Sequence, residues 1–285
     1  LVTGGAGFIG GTLIRRLLRD TDIQIFNIDK LGFASDLTGI KLFLNDSPEN
    51  VDKYHFVKLN LLNLEKTQQV IKKIDPDMVF HLAAESHVDR SITEPNQFVD
   101  NNVIGTLNLL ESIRAHWQML SSHRKNNFRL LHISTDEVFG SIDNKELFSE
   151  KSSYRPRSPY SASKAASDHL VQSWNHTYEI PTLITHCSNN FGPWQFPEKL
   201  IPKIIFNGYA NKSIPIYGDG ENIRDWIYVE DHVDALIQVI IKGEIGSSYC
   251  IGSEELKTNN QISDKIFNLL DRLNEKNSPH SKLKK

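Results

Sequence analysis

Apolar positions along the chain fall into short runs separated by amphipathic stretches. IQIFNI (23–28), Tyr54 to Leu59, Asp77 to Ala83, FRLLHI (128–133) and Ile180 to His186 read as buried strands. Helical stripes alternate with them: Leu13, Ile14, Leu17 and Leu18; about Asn63 to Ile74; about Phe98 to Trp117; and a helix opening at Ser158-Pro159 and running to about Tyr178. Strands alternating with helices over short connections predict an α/β fold built on a doubly wound parallel sheet. Leu1-Val2-Thr3 is shorter than an ordinary strand and carries no initiator Met. The chain is therefore expected to begin inside its first strand.

From about Phe191 the pattern changes. Prolines come at 193, 197, 202 and 215, and the elements shorten. A helix is expected from Pro197 to about Tyr209, a short strand at 214–217 and a turn at Gly218-Asp219-Gly220. A helix from Val229 to Lys242, a strand Tyr249 to Ile251 and a helix from about Asn260 to Leu273 follow. The expected organisation is a Rossmann-type domain over 1–190 and a smaller lobe over 191–285, with some elements returning to the first domain.

Composition adds exclusions. The 285 residues are 39% hydrophobic and 24% charged, with a net charge of −3. That balance gives no electrostatic reason to expect nucleic acid or an anionic membrane. No apolar run approaches a membrane span. Two cysteines, Cys187 and Cys250, suit a reducing compartment. The scattered histidines show no metal-ligand spacing.

The chemistry-bearing stretches lie at strand ends. Gly4, Gly7 and Gly10 open the first helix, where glycines let a backbone approach a pyrophosphate at a helix N-terminus; an ordinary tight turn would look the same. Asp29, ending the second strand, can hold the ribose hydroxyls of NAD and would repel the 2′-phosphate of NADP; it can also be a simple turn residue. Ala83-Ala84 would let a cofactor lie against a strand end. His87 is either a ligand contact or a structural histidine. The asparagines at 101 and 102 either edge the cofactor or satisfy buried backbone groups. Asn189-Asn190 read as a turn with amide donors to offer.

Ser134-Thr135-Asp136-Glu137 follows a strand, and Tyr160 and Lys164 share one helix face. A phenol is a poor base unless a nearby ammonium and a positive nicotinamide lower its pKa. Tyr160 could then take a proton from a sugar hydroxyl while the carbon beneath gives hydride to NAD, with Lys164 holding the ribose and Thr135 sharing the reacting oxygen. The resulting ketone acidifies the next carbon. Two carboxylates in different protonation states can remove that proton and protonate a leaving hydroxyl. A solvated Asp-Glu pair is the plain alternative.

TGGAGFIG (3–10) and Tyr160-x-x-x-Lys164 resemble the extended short-chain dehydrogenase/reductase superfamily. LAAESHVDRSI (82–92), HISTDEVFG (132–140), SPYSASKAASDHLV (158–171), CSNNFGPWQFPEKLIPK (187–203) and RDWIYVEDH (224–232) are similar, within it, to the dTDP-glucose 4,6-dehydratases. The resemblance implies a lyase of deoxysugar biosynthesis that forms dTDP-4-keto-6-deoxyglucose by transient C4 oxidation, C5/C6 water elimination and hydride return to C6. Thr135 and Tyr160 would act at the C4 hydroxyl with Lys164, Glu137 at the C5 proton and Asp136 at the C6 hydroxyl. Gly4, Gly7, Phe8, Ile9, Gly10, Asp29, Lys30, Leu31, Gly32, Asn60, Leu61, Leu82, Ala83, Ala84, Glu85, Ser86, Asn101 and Asn190 would join Tyr160 and Lys164 around NAD. Ser86, Thr135, Asn189, Lys199, Leu200, Pro215, Ile216, Tyr217, Arg224 and Asn259 would contact the nucleotide sugar. It further implies a cytoplasmic homodimer paired through the helices near 98–117 and 159–177, and a C-terminal segment longer than this Lys-rich end. Asn60 stands where the family has Asp, which implies weaker NAD retention. Asn101 replaces a Thr, and Phe139, Phe191 and Trp194 replace Tyr. The alternatives are a dehydratase or epimerase on another nucleotide sugar, or a catalytically weak NAD-binding scaffold.

Overall fold

The computed structural model describes residues 1–141, 147–210, 212–213 and 218–277. In chain order its main elements are β1 (Val2–Thr3), α1 (Phe8–Asp20), β2 (Ile25–Asp29), α2 (Thr38–Asp46), β3 (Tyr54–Lys58), α3 (Leu64–Ile74), β4 (Met78–His81), α4 (Val88–Thr93), α5 (Pro95–Phe98), α6 (Gly105–Met119), α7 (Ser122–Asn127) and β5 (Arg129–Thr135). There follow α8 (Pro159–Tyr178), β6 (Thr182–Cys187), β7 (Asn189–Phe191), α9 (Leu200–Tyr209), β8 (Ile223–Tyr228), α10 (Val229–Lys242), β9 (Ser248–Ile251), β10 (Leu256–Thr258) and α11 (Asn259–Asn277).

The chain divides into two compact units. The first holds Leu1–Ser141, Phe148–Cys187 and Glu230–Ile251. Among its described residues the strands form one sheet in the order β3-β2-β1-β4-β5-β6-β9, and every pairing is parallel. The order reverses between β1 and β4, as expected of a doubly wound sheet, and ligands bind such sheets at that reversal. Strands buried on both faces explain why the runs are apolar rather than alternating. The core gathers Leu109, Leu110, Ile113, Phe128, Leu130, Val171, Ile180 and Ile184.

Local chemistry sets the helix ends. Asn63 accepts from the Lys66 amide to start α3, and Asp75 ends it in the left-handed region at φ 52°. Ser158 and Ser161 cap α8 reciprocally, with Pro159 at its first position. The helix expected from Phe98 instead begins at Pro95 and passes through a π-helical segment, Val99–Ile104, before α6. The Asp77–Ala83 strand contracts to β4; beyond it the Leu82 amide still donates to the Thr3 carbonyl at 3.0 Å, and the Ala83 amide turns to the Thr3 hydroxyl at 3.3 Å.

The second unit holds Ile142–Leu147, Ser188–Val229 and Gly252–Lys285. Its described strands form the order β10-β8-β7, with β8 antiparallel to β10 and parallel to β7. Asn189-Asn190 are therefore strand and not turn: Asn189 pairs with Trp226 and Asn190 with Ile227, and that pairing overrides the local asparagine preference. The α9 helix starts at Leu200 rather than Pro197 and packs on α11. The turn at Gly218-Asp219-Gly220 has positive φ at both glycines. The strand expected at 214–217 lies outside the described residues.

Two buried histidines of the first unit set its acid limit. Burial holds His132 at about 4 and His232 at about 3, both below the ordinary 6.5, with Lys164 also depressing His132. The folded state therefore binds fewer protons than the unfolded one between these values and 6.5. Their contribution is fully present above about pH 6.5 and is lost as pH falls toward 4 and then 3, on the order of 3 kcal/mol for His132 and 5 kcal/mol for His232. Thermal melts should show Tm falling steadily from pH 7 to pH 5. A Tm unchanged over that range would contradict neutral burial of these rings.

Candidate active site

The cradle at the β1–β4 reversal is built from backbone. Gly4 has φ +75°, and a Cβ there would stand 2.6 Å from the Ala83 nitrogen. A Cβ on Gly10 would run into the Gly4 carbonyl. Gly7 caps α1 without a side chain, which leaves the first-turn amides of Phe8, Ile9 and Gly10 without a side-chain cap. This is the geometry that suits a pyrophosphate. Asp29, 7% exposed, ends β2 and accepts from the Ala6 amide at 3.1 Å through Oδ2. Its Oδ1 accepts from the Leu31 amide at 2.7 Å and the Ser35 hydroxyl at 3.2 Å. The carboxylate is thus locked beside the glycine loop with acceptor capacity left over, as ribose hydroxyls require. A dinucleotide without a 2′-phosphate fits this set of donors and acceptors.

Several residues expected on the cofactor act first on the protein. The Lys30 ammonium donates to Glu85 Oε1 at 2.5 Å and to Asn101 Oδ1 at 2.7 Å. These contacts tie the ends of β2 and β4 to the π-helical segment. The Leu61 side chain lies in the core, and Asn108 donates to its carbonyl at 2.9 Å. Asn60 is exposed and accepts from the Leu62 amide at 3.0 Å. Gly32 and Leu82 to Ser86 follow the ends of β2 and β4, with Ser86 exposed. Asn102, weighed with Asn101 as a cofactor edge or a backbone partner, is 1% exposed and holds the Glu85 backbone at both amide and carbonyl, 2.7 and 3.0 Å. It also donates to Ser163 on α8 at 2.8 Å. The buried-backbone role is the one it takes, and its sequence signal was only a polar pair inside a helical stripe.

The proton-handling groups converge at the end of β5. Thr135, 7% exposed, is the last residue of β5 and caps a single 3₁₀ turn, Asp136–Phe139. Its Oγ1 accepts from the Glu137 amide at 3.3 Å, which sets the two carboxylates on that turn. Tyr160 comes from the first turn of α8, is 9% exposed and hydrogen-bonds Thr135 through its side chain. Lys164 lies one turn further on, 3% exposed, and donates to the Ile133 carbonyl at 2.9 Å. The structure therefore brings all five together.

Their electrostatics set the phenol high in the protein alone. Burial, then the Glu137 charge and the Cys187 thiol, push Tyr160 well above the usual phenol range, while the Thr135 hydrogen bond opposes them. The Lys164 ammonium donates to the Ile133 carbonyl and lies 3.4 Å from His132 Nε2. The protein alone keeps Tyr160 as a neutral phenol. Among the described residues no group of His, Cys, Asp and Glu could hold a metal ion.

The second unit carries the other expected contacts. Lys199 caps α9 and Leu200 is its first residue. Arg224 pairs with Lys257 across β8 and β10, and the Asn259 amide donates to Asn222 at 3.3 Å, so Arg224 and Asn259 share one end of that sheet. Asn189 and Asn190 lie on β7. Pro215, Ile216 and Tyr217 fall outside the described residues.

The family model described as GDP-mannose 4,6 dehydratase matches residues 1–285. The dTDP-glucose 4,6-dehydratase of Salmonella typhimurium is 46% identical over 282 residues, covering 96% of this chain and 77% of its own. That of Haemophilus influenzae is 48% identical over 274 residues, covering 96% and 80%. The crystal structure of dTDP-glucose 4,6-dehydratase from Bacillus anthracis in complex with NAD superposes with a TM-score of 0.83 at 40% identity, covering 94% of this chain and 80% of that one. With the glycine cradle, the locked Asp29 and the Thr-Asp-Glu turn facing Tyr160, these matches show that the chain belongs to the nucleotide-sugar 4,6-dehydratase family, in its dTDP-glucose 4,6-dehydratase group.

Proposed function

We propose that this protein dehydrates dTDP-glucose to dTDP-4-keto-6-deoxyglucose using NAD. The observation that carries the reading is the convergence of Thr135, Asp136 and Glu137 with Tyr160 and Lys164. A redox pair alone suits many nucleotide-sugar enzymes; the added carboxylate couple suits elimination. NAD would lie in the Gly4–Gly10 cradle with its ribose on Asp29. When bound, it accepts hydride from C4 and returns it at C6, and its positive ring opposes the effect of Glu137 on Tyr160.

The residues handle the protons. Tyr160, hydrogen-bonded to Thr135, takes the C4 hydroxyl proton as C4 becomes a ketone. Lys164 keeps a positive charge on the same face of α8. The C5 proton, now acidic, passes to Glu137, and the C6 hydroxyl leaves as water with a proton from Asp136. Glu137 gives a proton back to C5 as C6 receives hydride, and Tyr160 remains protonated beside the product ketone until it exchanges with solvent. Solvent takes the Tyr160 proton and returns one to Asp136, so hydride and protons balance and the net change is loss of one water. Lys199 and Arg224 are proposed to bind the diphosphate, where guanidinium and ammonium donors match its oxygens. Asn189, Leu200 and Asn259 complete the proposed nucleotide-sugar set with Ser86.

We also infer a homodimer through the helical face that exposes Ile92, Val99 and Ile104, with α8 beside it. No helix among the described residues is long and apolar enough to cross a membrane, and a cytoplasmic enzyme is the location proposed. Incubating the purified protein with dTDP-glucose and NAD should give, by mass spectrometry, a product lighter by one water with no net reduction of NAD. An unchanged mass with a 4-epimer formed would instead favour an epimerase.

A further inference from the structure

Behind the reacting face lies a buried charge cluster that the proposed mechanism does not use. Asp168 sits one turn beyond Lys164 on α8 and is 0% exposed. Its Oδ2 accepts from Ser134 Oγ at 2.9 Å, Tyr154 Oη at 3.3 Å and His186 Nε2 at 3.2 Å. Its Oδ1 lies 3.1 Å from His132 Nε2. The same His132 nitrogen is 3.4 Å from Lys164 Nζ. A carboxylate with no exposure is normally neutral or paired. Here one anion faces one ammonium across a single imidazole, and it also grips Ser134, the residue before Thr135.

We propose that Asp168 is a positioning residue for the redox step: it is the buried counter-charge that keeps Lys164 cationic, and through Ser134 and α8 it fixes Thr135 against Tyr160. The inference rests on the assignment of Tyr160 and Lys164 as the redox pair. The charges support it. Burial pushes the Lys164 ammonium down, and Asp168 and then Cys187 oppose that. Burial would raise Asp168, but its contacts with His132 and His186 outweigh that and hold the carboxyl well below the usual range. The titratable groups around the pair are His81 on β4, His132 on β5, His186 and Cys187 on β6, Tyr154 ahead of α8, and Tyr160 itself. Burial depresses His81 and His132, with Lys164 adding to both. Neither of these two rings supplies positive charge at working pH, and Asp168 is the anion that opposes burial at Lys164.

Asp168→Asn keeps the shape and removes the charge. Lys164 then loses its proton at lower pH. The turnover of dTDP-glucose should fall by about tenfold, and the alkaline limb of its pH profile, where Lys164 loses its proton, should move down by about one pH unit, with KM nearly unchanged. Asp168→Glu should leave that limb in place. His132→Gln, which retains both charges, should also leave it in place, and it carries the test alone if Asp168→Asn does not fold. A lower turnover with an unmoved limb in Asp168→Asn, or a displaced limb in His132→Gln, would overturn the counter-charge role. If Tyr160→Phe kept full turnover, the redox assignment itself would fail instead, which separates the two ideas.

Discussion

Glu137→Gln is expected to lower overall turnover by about 10²–10⁴-fold, the range that a positioned general base contributes. The amide is isosteric, and the Thr135 cap binds the Glu137 backbone amide, not its carboxylate, so the 3₁₀ turn should survive. The variant should bind NAD and still oxidise C4. Its C4 step should even reach full rate at lower pH, because the Glu137 charge is the chief protein charge that raises Tyr160. In a single turnover the reduced-nicotinamide absorbance should therefore rise and persist. The C5 proton of the substrate should not exchange with solvent deuterium. Normal exchange would move the base to another residue, with Asp136 the first candidate.

Tyr160→Phe should cost a similar about 10²–10⁴-fold, but at the earlier step. Phe fills nearly the same volume, and Phe98 already packs edge-on to this ring at 6.4 Å, so packing should be preserved. Only the hydroxyl and its Thr135 partner are lost. A single turnover of this variant should give neither reduced nicotinamide nor C5 exchange, since C5 is not acidic until C4 is a ketone. The two variants thus divide the reaction: one stops before oxidation and the other after it. A Tyr160→Phe enzyme that exchanged C5 would contradict the order of steps.

Most of the first unit was legible because its signals are local. Ser158-Pro159 marked the start of α8, Asn63 that of α3, and the apolar runs marked a sheet buried on both faces. Tyr160 and Lys164 were legible from their spacing on one helix. What escaped depends on partners distant in sequence. The asparagines of β7 form a strand because Trp226 and Ile227 pair with them, and no neighbour in sequence announces that. The π-helical Val99–Ile104 shares its composition with an α-helix. The raised phenol of Tyr160 needed the position of Glu137, and the direction of the Lys164 ammonium needed that of Ile133. Asp168 looked like one more polar residue until His132, His186, Tyr154 and Ser134 closed around it.

The central claim is that hydride removed at C4 returns to the same sugar at C6. The direct measurement uses dTDP-glucose carrying deuterium at C4 mixed with unlabelled dTDP-glucose of distinguishable mass elsewhere in the ring. Deuterium found at C6 only in products that began with the label would support one sugar held through oxidation, elimination and return. Deuterium retained at C4, lost to solvent, or scrambled into the unlabelled sugar would contradict it.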